Sequence, residues 1–366
     1  MLRDVSLRIT SGGTPKSSES KYYDGVIPWL NTKEIHFNYI RSTERNITEL
    51  GLQNSSAKWI PKDSVVVAMY GATAAKVAYS LIDLTTNQAC CNIIVDASKA
   101  DSRYVYYYLQ SSYDELSNLA CGAAQQNLSI GVISDFPILI PSLDEQKRIA
   151  GVLSSLDDKI DLLHRENATL EALAETLFRH YFIENPNPDW KEGKLGDVAN
   201  VSAGGDKPQK VSNKKTEDTP VPIFSNGIEK NGLYGFTDKA RIFEESVTVS
   251  ARGTIGFVSL RTEPFVPIVR LITLAPIAPM TSKYLYYWAK LADINGTGTT
   301  QQQLTVPDFK ETKLLLPDTI LIQNFTRKAN IIHDKIRSNQ QQIFTLTAYR
   351  DTLLPSLMSG DVKVGE

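Results

Sequence analysis

The sequence has few of the residues on which metal sites, disulfide frameworks and many catalytic centres depend. Its 366 residues include only three cysteines and four histidines. Cys90 and Cys91 are adjacent in an apolar run, which favours two small core residues, and Cys121 leaves an odd number. Neither a disulfide framework nor zinc-ligand spacing is present. The histidines are scattered, so neither a catalytic triad nor a metal centre is expected.

Long apolar segments and the motifs of nucleotide chemistry are also missing. No stretch approaches the ~20 uncharged apolar residues of a membrane span, and residues 1–4 lack the apolar core of a signal peptide, so a cytoplasmic protein is expected. There is no Gly-x-x-x-x-Gly-Lys-Ser/Thr phosphate loop. There is also no Asn-Pro-Pro-aromatic run of the kind with which amino-methyltransferases hold a flipped adenine. Residues 185–188 (Asn-Pro-Asn-Pro) are the nearest match and favour a linker. The sequence therefore predicts a protein without a catalytic site.

The net charge of −2 is low for a nucleic-acid-binding protein, because phosphate contacts need lysine and arginine. The acidic side chains are concentrated in residues 143–192, which hold eleven acidic and six basic residues. The rest of the chain is close to neutral. A near-neutral globule can still carry a basic face, so charge alone does not exclude a nucleic-acid partner.

The sequence does contain an internal duplication, in which one unit occurs twice along the chain. Residues 2–5 (Leu-Arg-Asp-Val) recur as residues 195–198 (Leu-Gly-Asp-Val). Further matching segments are 12–15 with 204–208, 64–73 with 246–254, 104–108 with 284–288, 125–128 with 301–304, 139–141 with 315–317, and 158–160 with 334–336. The offset between the copies falls from 193 to 176 and is nearly constant from Leu128 onward. The loops of the two copies have therefore diverged in length, whereas the last part of the unit has not.

That last part has the heptad pattern of a long helix in each copy. The predicted seam of the first helix consists of Ile149, Leu153, Leu156, Ile160, Leu163, Asn167, Leu170, Ala174, Leu177 and Tyr181. The predicted seam of the second consists of Phe325, Ala329, Ile332, Ile336, Asn339, Ile343, Leu346, Arg350, Leu353 and Leu357. Each seam spans ~33 residues, or ~50 Å of helix.

Two such seams in one duplicated chain should pack antiparallel about a pseudo-two-fold axis. One register places Asn167 opposite Asn339 and Leu163 opposite Ile343. It also matches bulky with small residues, in the pairs Ala174–Ile332 and Leu177–Ala329. A slip of one heptad satisfies the symmetry equally, and ordinary core helices are the alternative to a coiled coil.

The two globules read as mixtures of strands and short helices. Strands are predicted at residues 63–70, 76–83 and 89–95 in the first copy, and at 246–251, 255–260 and 265–274 in the second. Asp101 and Ser282 are predicted N-caps of aromatic-rich helices, the first running to about residue 119. Their tyrosines and Trp288 are predicted to pack in the core rather than to stack on bases. Asp157 and Asp158 are predicted to lie on a solvated helix face.

Polar loops at matching positions are the candidate binding elements. Residues 69–76 match residues 251–255, and a glycine in each turn lets the backbone approach a partner closely. The candidate contact residues are Thr14, Lys16, Tyr70, Thr73, Lys76, Gln125, Gln126 and Asn127 in the first copy, and Lys207, Lys210, Lys214, Lys215, Arg252, Thr254, Gln301, Gln302 and Gln303 in the second. Amides can read adenine, arginine can read guanine, and lysines suit phosphates. Each residue alone could equally be part of a hairpin turn or a helix end. As a set they favour binding, because the side chains differ while the turns are kept.

These features resemble the specificity subunit of type I restriction–modification enzymes. The resemblance is carried by Leu-x-Asp-Val at 2–5, Ser-Gly-Gly-Thr-Pro at 11–15, and the segment 136–149 with its Pro-Ser-Leu-Asp-Glu-Gln-Lys-Arg-Ile. Leu-Phe-Arg-His-Tyr-Phe at 177–182 and Leu-Pro-Ser-Leu-Met-Ser-Gly at 354–360 complete it, so it covers essentially the whole chain. The second copy departs from the pattern, because residues 317–323 lack the Glu-Gln pair.

The resemblance implies an α+β chain in which two mixed α/β target recognition domains are joined by two long antiparallel coiled-coil helices. The expected segments are domains at 1–142 and 185–318, the latter with a linker at 185–192, and spacer helices at 143–184 and 319–366, the last with a tail. Each domain would bind one half of a split, asymmetric DNA site through the major groove, and the helices would set the spacing.

The resemblance also implies partners and a division of labour. Two modification subunits would methylate adenine at N6 with S-adenosylmethionine, and restriction subunits would use ATP and Mg²⁺. This chain would bind none of these cofactors and do no chemistry. The alternative is a duplicated coiled-coil adaptor that binds only proteins. A stand-alone methyltransferase or nuclease is disfavoured by the missing motifs.

Overall fold

The computed structural model describes residues 1–119, 127–292, 294 and 303–365. The chain divides into two compact units, residues 1–163 with 342–366, and residues 164–341. Each unit combines one globule with part of each of two long helices. We call the globules, residues 1–142 and 185–318, the first and second domains. The predicted boundaries at 143 and 319 coincide with helix starts, whereas compactness groups each globule with the helix segments that pack on it.

Within the described residues, the strands of the first domain form two sheets. The strands are β1 (Ser6–Ser11), β2 (Tyr23–Leu30), β3 (Asn38–Ile40), β4 (Asn46–Ile47), β5 (Val65–Ala68), β6 (Val77–Ser80), β7 (Thr85–Thr86) and β8 (Cys90–Val95). The larger sheet has the order β1-β8-β5-β6-β3, and the smaller has the order β4-β2-β7. The helices are α1 (Glu49–Gln53), α2 (Ser102–Ser111), α3 (Tyr113–Leu119) and α4 (Ile130–Ser134), and the long helix α5 (Leu143–Phe182) follows.

Strand β5 shows why this sheet forms the centre of the domain. All four of its residues, Val-Val-Val-Ala, are buried. Val65 and Val67 belong to the same core cluster as the tyrosines of α2, whereas Val66 and Ala68 belong to a second cluster on the opposite face. Because successive side chains of a strand point to opposite faces, a continuous apolar run is what a strand covered on both sides requires.

Helix α2 forms where the sequence predicted it. The Asp101 carboxylate accepts a hydrogen bond from Tyr104 N at 3.0 Å, which is the expected N-cap. Tyr104, Tyr106 and Tyr107 are almost completely buried, so the aromatic stripe is core packing, as predicted. Cys90 and Cys91 are also buried in the core. The predicted helix to residue 119 is divided into α2 and α3.

The second domain has the strands β9 (Lys191–Lys194), β10 (Ala199–Ala203), β11 (Val221–Phe224), β12 (Leu233–Thr237), β13 (Ser246–Val249), β14 (Val258–Arg261), β15 (Val266–Pro267), β16 (Ile272–Pro276) and β17 (Lys313–Leu316). Their sheets have the orders β10-β16-β13-β14, β12-β11-β15 and β17-β9 within the described residues. The helices are α6 (Leu195–Val198), α7 (Ser282–Leu291), α8 (Val306–Lys310) and the long helix α9 (Thr319–Ser359).

The strand pairing confirms the duplication. In the first domain β2 pairs antiparallel with β4 and parallel with β7. In the second domain β11 pairs antiparallel with β12 and parallel with β15. The order β1-β8-β5-β6 likewise corresponds to β10-β16-β13-β14, and β3 has no counterpart among the described strands of that second-domain sheet.

Three local predictions for the second domain were wrong. The predicted strand 265–274 is two strands, because Val269 and Arg270 adopt left-handed backbone conformations (φ 52° and 62°) and turn the chain between β15 and β16. The N-cap of α7 is Thr281 rather than Ser282, since the Thr281 hydroxyl accepts from Tyr284 N at 3.2 Å. The predicted strand 255–260 begins only at Val258.

The two long helices are longer than their predicted seams. Helix α5 has 40 residues and α9 has 41, which correspond to ~60 Å each. In the second unit, Asn339 Nδ2 donates to Asn167 Oδ1 at 2.9 Å, so the predicted contact between the two seam asparagines is confirmed. In the first unit, Arg350 Nη1 donates to Asp157 Oδ1 at 2.8 Å, which fits the same antiparallel register. The described seam residues are all buried or half-buried.

Asp157 corrects the prediction of a solvated acidic pair. Asp158 is exposed, as predicted, but Asp157 is buried between α2 and α9. Besides the bond from Arg350, it accepts a hydrogen bond from the Tyr107 hydroxyl at 2.8 Å. Its burial depends on partners far away in the sequence, which a local charge pattern does not reveal.

Candidate nucleic-acid interface

The polar loops that the sequence singled out occupy equivalent places in the two domains. One loop follows β5 and the other follows β13. The loop after β5 is joined to the amide segment by Leu128 N, which donates to Met69 O at 2.9 Å. The loop after β13 is joined to its own amide segment by Leu304 N, which donates to Ala251 O at 3.1 Å. The structure thus brings together, in both domains, two segments that are more than 45 residues apart in the chain.

In the first domain this loop presents Tyr70. The side chain is 40% exposed, and its backbone forms an isolated β-bridge with Asn127, which is also exposed. Gly71 follows with φ 77°, a conformation that favours glycine, and a Cβ there would meet no atom of the described residues within 4 Å. Gln125 and Gln126 lie outside the described residues.

The other two candidates of this loop are less accessible. Thr73 is buried, and its hydroxyl donates to Thr32 O at 2.9 Å, so it holds the turn rather than presenting a group to solvent. This corrects its selection as a contact residue. Lys76 is half-buried, with its Nζ 3.4 Å from Nδ1 of His36.

The glycine turn at residues 12–15 lies at the same end of the first domain. Thr14 and Lys16 are exposed, and the Thr14 hydroxyl contacts the side-chain oxygen of Gln88. The adjacent Asn87 donates from Nδ2 to Asn31 Oδ1 at 2.7 Å. Thr32, the residue after Asn31, accepts the hydrogen bond from the Thr73 hydroxyl. A chain of contacts therefore connects the glycine turn with the Tyr70 loop. Sequence inspection missed the amides at 31, 87 and 88.

In the second domain the equivalent loop presents Arg252. The side chain is exposed, and its Nη2 donates to Gln303 Oε1 at 2.8 Å, so two candidate residues are in direct contact. Gly253 has φ 69°. Thr254 is half-buried, and its hydroxyl oxygen finds no hydrogen-bond partner among the described residues. Gln301 and Gln302 lie outside those residues.

Asn226 holds this loop and was not identified from the sequence. Its Oδ1 accepts from Ala251 N at 2.8 Å, and its Nδ2 donates to Val269 O at 2.8 Å. One side chain thereby joins the Arg252 loop to the turn between β15 and β16. The sequence signal was the Ser-Asn-Gly after a strand, which is typical of a turn.

The four candidate lysines of the second domain are all exposed. Lys207 Nζ lies 5.0 Å from the ring centroid of Tyr234, and Lys210 Nζ donates to Asp218 O at 3.2 Å. Lys215 Nζ lies 3.7 Å from a carboxylate oxygen of Glu263, which offsets part of the positive charge of this segment.

A buried arginine supports the loop after β11. The Arg261 guanidinium lies 3.6 Å from the Phe224 ring centroid, and its Nη2 donates to Asn231 O at 2.8 Å. Burial lowers the pKa of Arg261 to about 10, so it remains charged at neutral pH. Lys230 and Asn231 have positive φ (48° and 54°), and the hydrogen bond from Arg261 fixes this strained turn.

Each domain is also joined to its long helices through a tyrosine. In the first unit, the Tyr107 hydroxyl donates to Asp157, and burial raises the pKa of the Asp157 carboxyl. In the second unit, the Tyr287 hydroxyl lies 3.0 Å from His333 Nε2, and burial lowers the pKa of His333. Asp157 and His333 occupy the same position of the repeat, at the offset of 176.

Glu171 completes the contact in the second unit. It accepts from the Tyr286 hydroxyl at 2.8 Å and from Lys290 Nζ at 2.9 Å. Burial opposes its ionisation, but the hydrogen bonds from Lys290 and Tyr286 hold the pKa of Glu171 below its ordinary value.

The described part of the chain offers neither a membrane-spanning helix nor a metal centre. None of its helices combines the length and apolar character needed to cross a membrane. No group of three or more His, Cys, Asp or Glu side chains there could hold a metal ion.

Comparison with known proteins gives one consistent family. The model for the type I restriction modification DNA specificity domain matches the chain twice, at residues 2–172 and 187–343. The specificity subunit of the type I restriction enzyme MjaIX from Methanocaldococcus jannaschii is 26% identical, over all of this chain and 93% of that protein. A putative type I specificity subunit of Mycoplasma pneumoniae is 30% identical over 53% of this chain and 54% of its own length.

A solved structure shows the same fold. The crystal structure of a type I restriction–modification system S subunit from M. genitalium matches 97% of this chain and 94% of its own, with a TM-score of 0.61 at 19% identity. The predicted fold class, two mixed α/β domains with long helices in an internal duplication, is therefore confirmed.

Proposed function

This chain belongs to the family of DNA specificity subunits of type I restriction–modification systems, and we propose that each of its domains reads one half of a bipartite, asymmetric DNA site. The observation that supports this is a shared frame with different side chains. The same backbone hydrogen bond anchors the loop after β5 and the loop after β13, yet the residue it presents is Tyr70 in one and Arg252 in the other. Two readers of different sequences require this combination.

We propose further that α5 and α9 set the distance between the two half-sites. Each helix is unbroken and contributes residues to both compact units. The repeat also keeps a constant offset from Leu128 through the helices, whereas the domains differ in length. Helices of fixed length suit the role of a spacer, and domains with variable loops suit the role of recognising different DNA sequences.

The modification subunits would dock on the long helices. Large apolar side chains are exposed there, among them Leu173 on α5 and Ile331, Phe344 and Tyr349 on α9. Leu173 and Tyr349 occupy the same position of the repeat and are 48% and 62% exposed, which suits two copies of one partner. The acidic side chains of α5 add a polar surface beside them.

In this proposal the chain does no chemistry. Adenine N6-methylation with S-adenosylmethionine would belong to the modification subunits, and ATP- and Mg²⁺-dependent steps to the restriction subunits. The chain would act in the cytoplasm, where its DNA is. The alternative function, a coiled-coil adaptor that binds only proteins, is supported by the same exposed apolar residues and differs in predicting no DNA sequence preference.

One experiment tests the reading and the spacing together. The chain is co-expressed with its modification subunit in a host without adenine methylation, and the methylated adenines are mapped. A variant chain, tested in the same way, carries seven extra residues between 163 and 164 and seven between 342 and 343, so that the inserted heptads face each other. The wild-type chain should give a bipartite motif. The variant should give the same half-sites with a gap longer by about three base pairs, because seven residues add ~10 Å of helix.

A matched control carries the same seven residues in the linker 185–188, where they should leave the gap unchanged. Methylation without sequence preference in the wild-type complex would support the adaptor instead. Altered half-site bases with an unchanged gap would contradict the spacer role of the helices.

A further inference from the structure

Three exposed arginines distinguish the second domain from the first. We propose that Arg241, Arg252 and Arg270 together read guanine in the half-site that the second domain recognises. This inference rests on the proposed DNA-reading function and adds to it two residues and the identity of a base.

The three arginines occupy positions that the backbone defines in both domains. Arg252 corresponds to Tyr70, as the hydrogen bonds of their loops establish. The position of Arg241 is defined by a backbone hydrogen bond that occurs in both domains. Ile60 N donates to Leu84 O at 2.9 Å in the first domain, and Ile242 N donates to Phe265 O at 3.0 Å in the second. The residues immediately before these isoleucines, Trp59 and Arg241, therefore correspond.

The third position follows from the glycine turns. The bonds that close them are Gly12 N to Cys90 O at 3.3 Å and Gly204 N to Leu271 O at 2.8 Å. The preceding residues, Ala89 and Arg270, therefore correspond. At the three positions the first domain has tryptophan, tyrosine and alanine, and the second has arginine each time.

The second domain ties these arginines to one framework. Arg270 N donates to Gly204 O at 2.9 Å, and the preceding residue donates to Gly205 O at 3.0 Å. Arg241 Nη1 lies 3.0 Å from the place that a Cβ on Gly205 would take. A Cβ on Gly204 would lie 2.6 Å from the carbonyl carbon of Pro267, so the close approach of these turns requires glycine.

Asn226 extends the framework to Arg252. Its side chain bonds both the residue before Arg252 and the residue before Arg270, at 2.8 Å each. The backbones that carry the two arginines are thus connected through a single amide. Reading a base demands this kind of fixed geometry, because a bidentate contact tolerates little displacement.

Within the described ranges of the chain, none of the three arginines pairs with a carboxylate, and Arg252 donates to the neutral amide of Gln303. All three are exposed. A guanidinium donates two parallel hydrogen bonds to O6 and N7 of guanine in the major groove, the commonest specific arginine contact with DNA.

Arginine also binds phosphate in bidentate fashion, so the experiment must separate the two uses. A phosphate contact weakens binding about equally at all sequences, whereas a base contact discriminates at one position of the motif. The first half-site serves as an internal reference, because the three arginines belong to the second domain.

The test maps methylated adenines for the complex with the variants Arg241→Ala, Arg252→Ala and Arg270→Ala, and with Arg270→Lys. The wild-type second half-site should contain at least one G·C pair. Alanine at a reading position should reduce the preference for that pair by about 5- to 150-fold, with the first half-site unchanged. Lysine keeps the charge but not the paired donors, so Arg270→Lys should relax the same position.

Arg327→Ala is the matched control, because Arg327 is an exposed arginine of the same unit on α9, and its motif should equal that of the wild type. A second half-site without G·C, or variants that lower methylation equally at every site with rescue by lysine, would overturn the guanine assignment while leaving the reading function intact. A wild-type complex without any motif would instead contradict the proposed function itself.

Discussion

The two domains share their strand order and the hydrogen bonds that hold their loops, and they differ most in the side chains that those loops present. The first domain combines Tyr70 with the amides of Asn31, Asn87 and Gln88 at one end, and it exposes Trp59 elsewhere on its surface. The second places arginines at the positions of both aromatic residues. The difference teaches that the frame and the readout are separable: a backbone hydrogen bond does not depend on the side chain, so the exposed residue can change while the turn remains.

The domains also differ in how they are joined to the long helices. At the same position of the repeat, the first unit has the charged Asp157, paired with Arg350, and the second has His333. Each contacts the corresponding tyrosine of α2 or α7. The first contact is a buried ion pair with a hydrogen bond, and the second is an imidazole beside the carboxylate of Glu171.

The largest effect is expected from Asp157→Ala, which removes one partner of the buried ion pair. The remaining Arg350 guanidinium would keep only its bonds to the exposed Asp351, at 2.9 and 2.7 Å. Breaking a buried pair costs about 3–5 kcal/mol when a charge is left uncompensated, so the loss here should lie near the lower end of that range. Thermal and urea unfolding of the chain should show the loss in the transition of the first unit. Asp158→Ala is the control. Asp158 is exposed and its carboxylate lies 3.3 Å from Arg103 Nη1, so the loss of this surface pair should cost less than about 1 kcal/mol. Equal effects of the two substitutions would contradict the structural role of Asp157.

A smaller effect, confined to the second domain, is expected from Asn226→Ala. In the first domain the loop is held by the backbone, since Met69 N donates to Ala89 O at 2.8 Å. In the second domain the equivalent bond of Ala251 depends on a side chain, and leaving its N–H without a partner costs about 1–3 kcal/mol. Methylation mapping should show weakened discrimination in the second half-site only.

Asn226→Asp provides the graded control for this prediction. It keeps the oxygen that accepts from Ala251 N and loses the N–H that donates to Val269 O. Its effect on the motif should therefore be smaller than that of alanine. A loss in both half-sites, or none, would show that the loop does not depend on this amide.

The parts of the fold that sequence could predict are those with a regular local signal. The heptads predicted both helices and the contact between Asn167 and Asn339, because an antiparallel pair with two-fold symmetry allows few registers. The N-cap of α2 and the burial of its tyrosines were likewise predictable, since Asp101 and the apolar stripe are close together in the chain.

The parts that sequence could not predict depend on distant partners. Thr73 resembles an exposed loop hydroxyl, but it is buried because the carbonyl of Thr32 lies beside it. Asp157 resembles a solvated helix residue, but Arg350, almost two hundred residues later, pairs with it. Arg241 and Arg270 have no local motif at all, and only the backbone pairing of the two domains shows that they occupy corresponding positions to Trp59 and Ala89.

The smallest effect is expected from acidification, which should act on the second unit through His333. Because the folded-state pKa of His333 lies below the ordinary value of about 6.5, its neutral form stabilises the fold; this contribution is complete above that pH and is lost as the pH falls through the folded-state pKa, by at most about 1.4 kcal/mol per pH unit. Burial raises the pKa of the Asp157 carboxyl, whereas the hydrogen bonds from Lys290 and Tyr286 outweigh burial and hold the pKa of Glu171 below its ordinary value. The groups around His333 are Tyr287, Glu171, Lys283, Lys290 and Glu245.

Amide hydrogen exchange, corrected for its intrinsic pH dependence, should therefore show α7 losing protection relative to α2 between pH 7 and 5.5. His333→Gln should abolish the difference, since the amide can still bond Tyr287 without titrating, and His164→Gln, at an exposed position of the same unit, should not. A pH response that survives His333→Gln would assign it to another group.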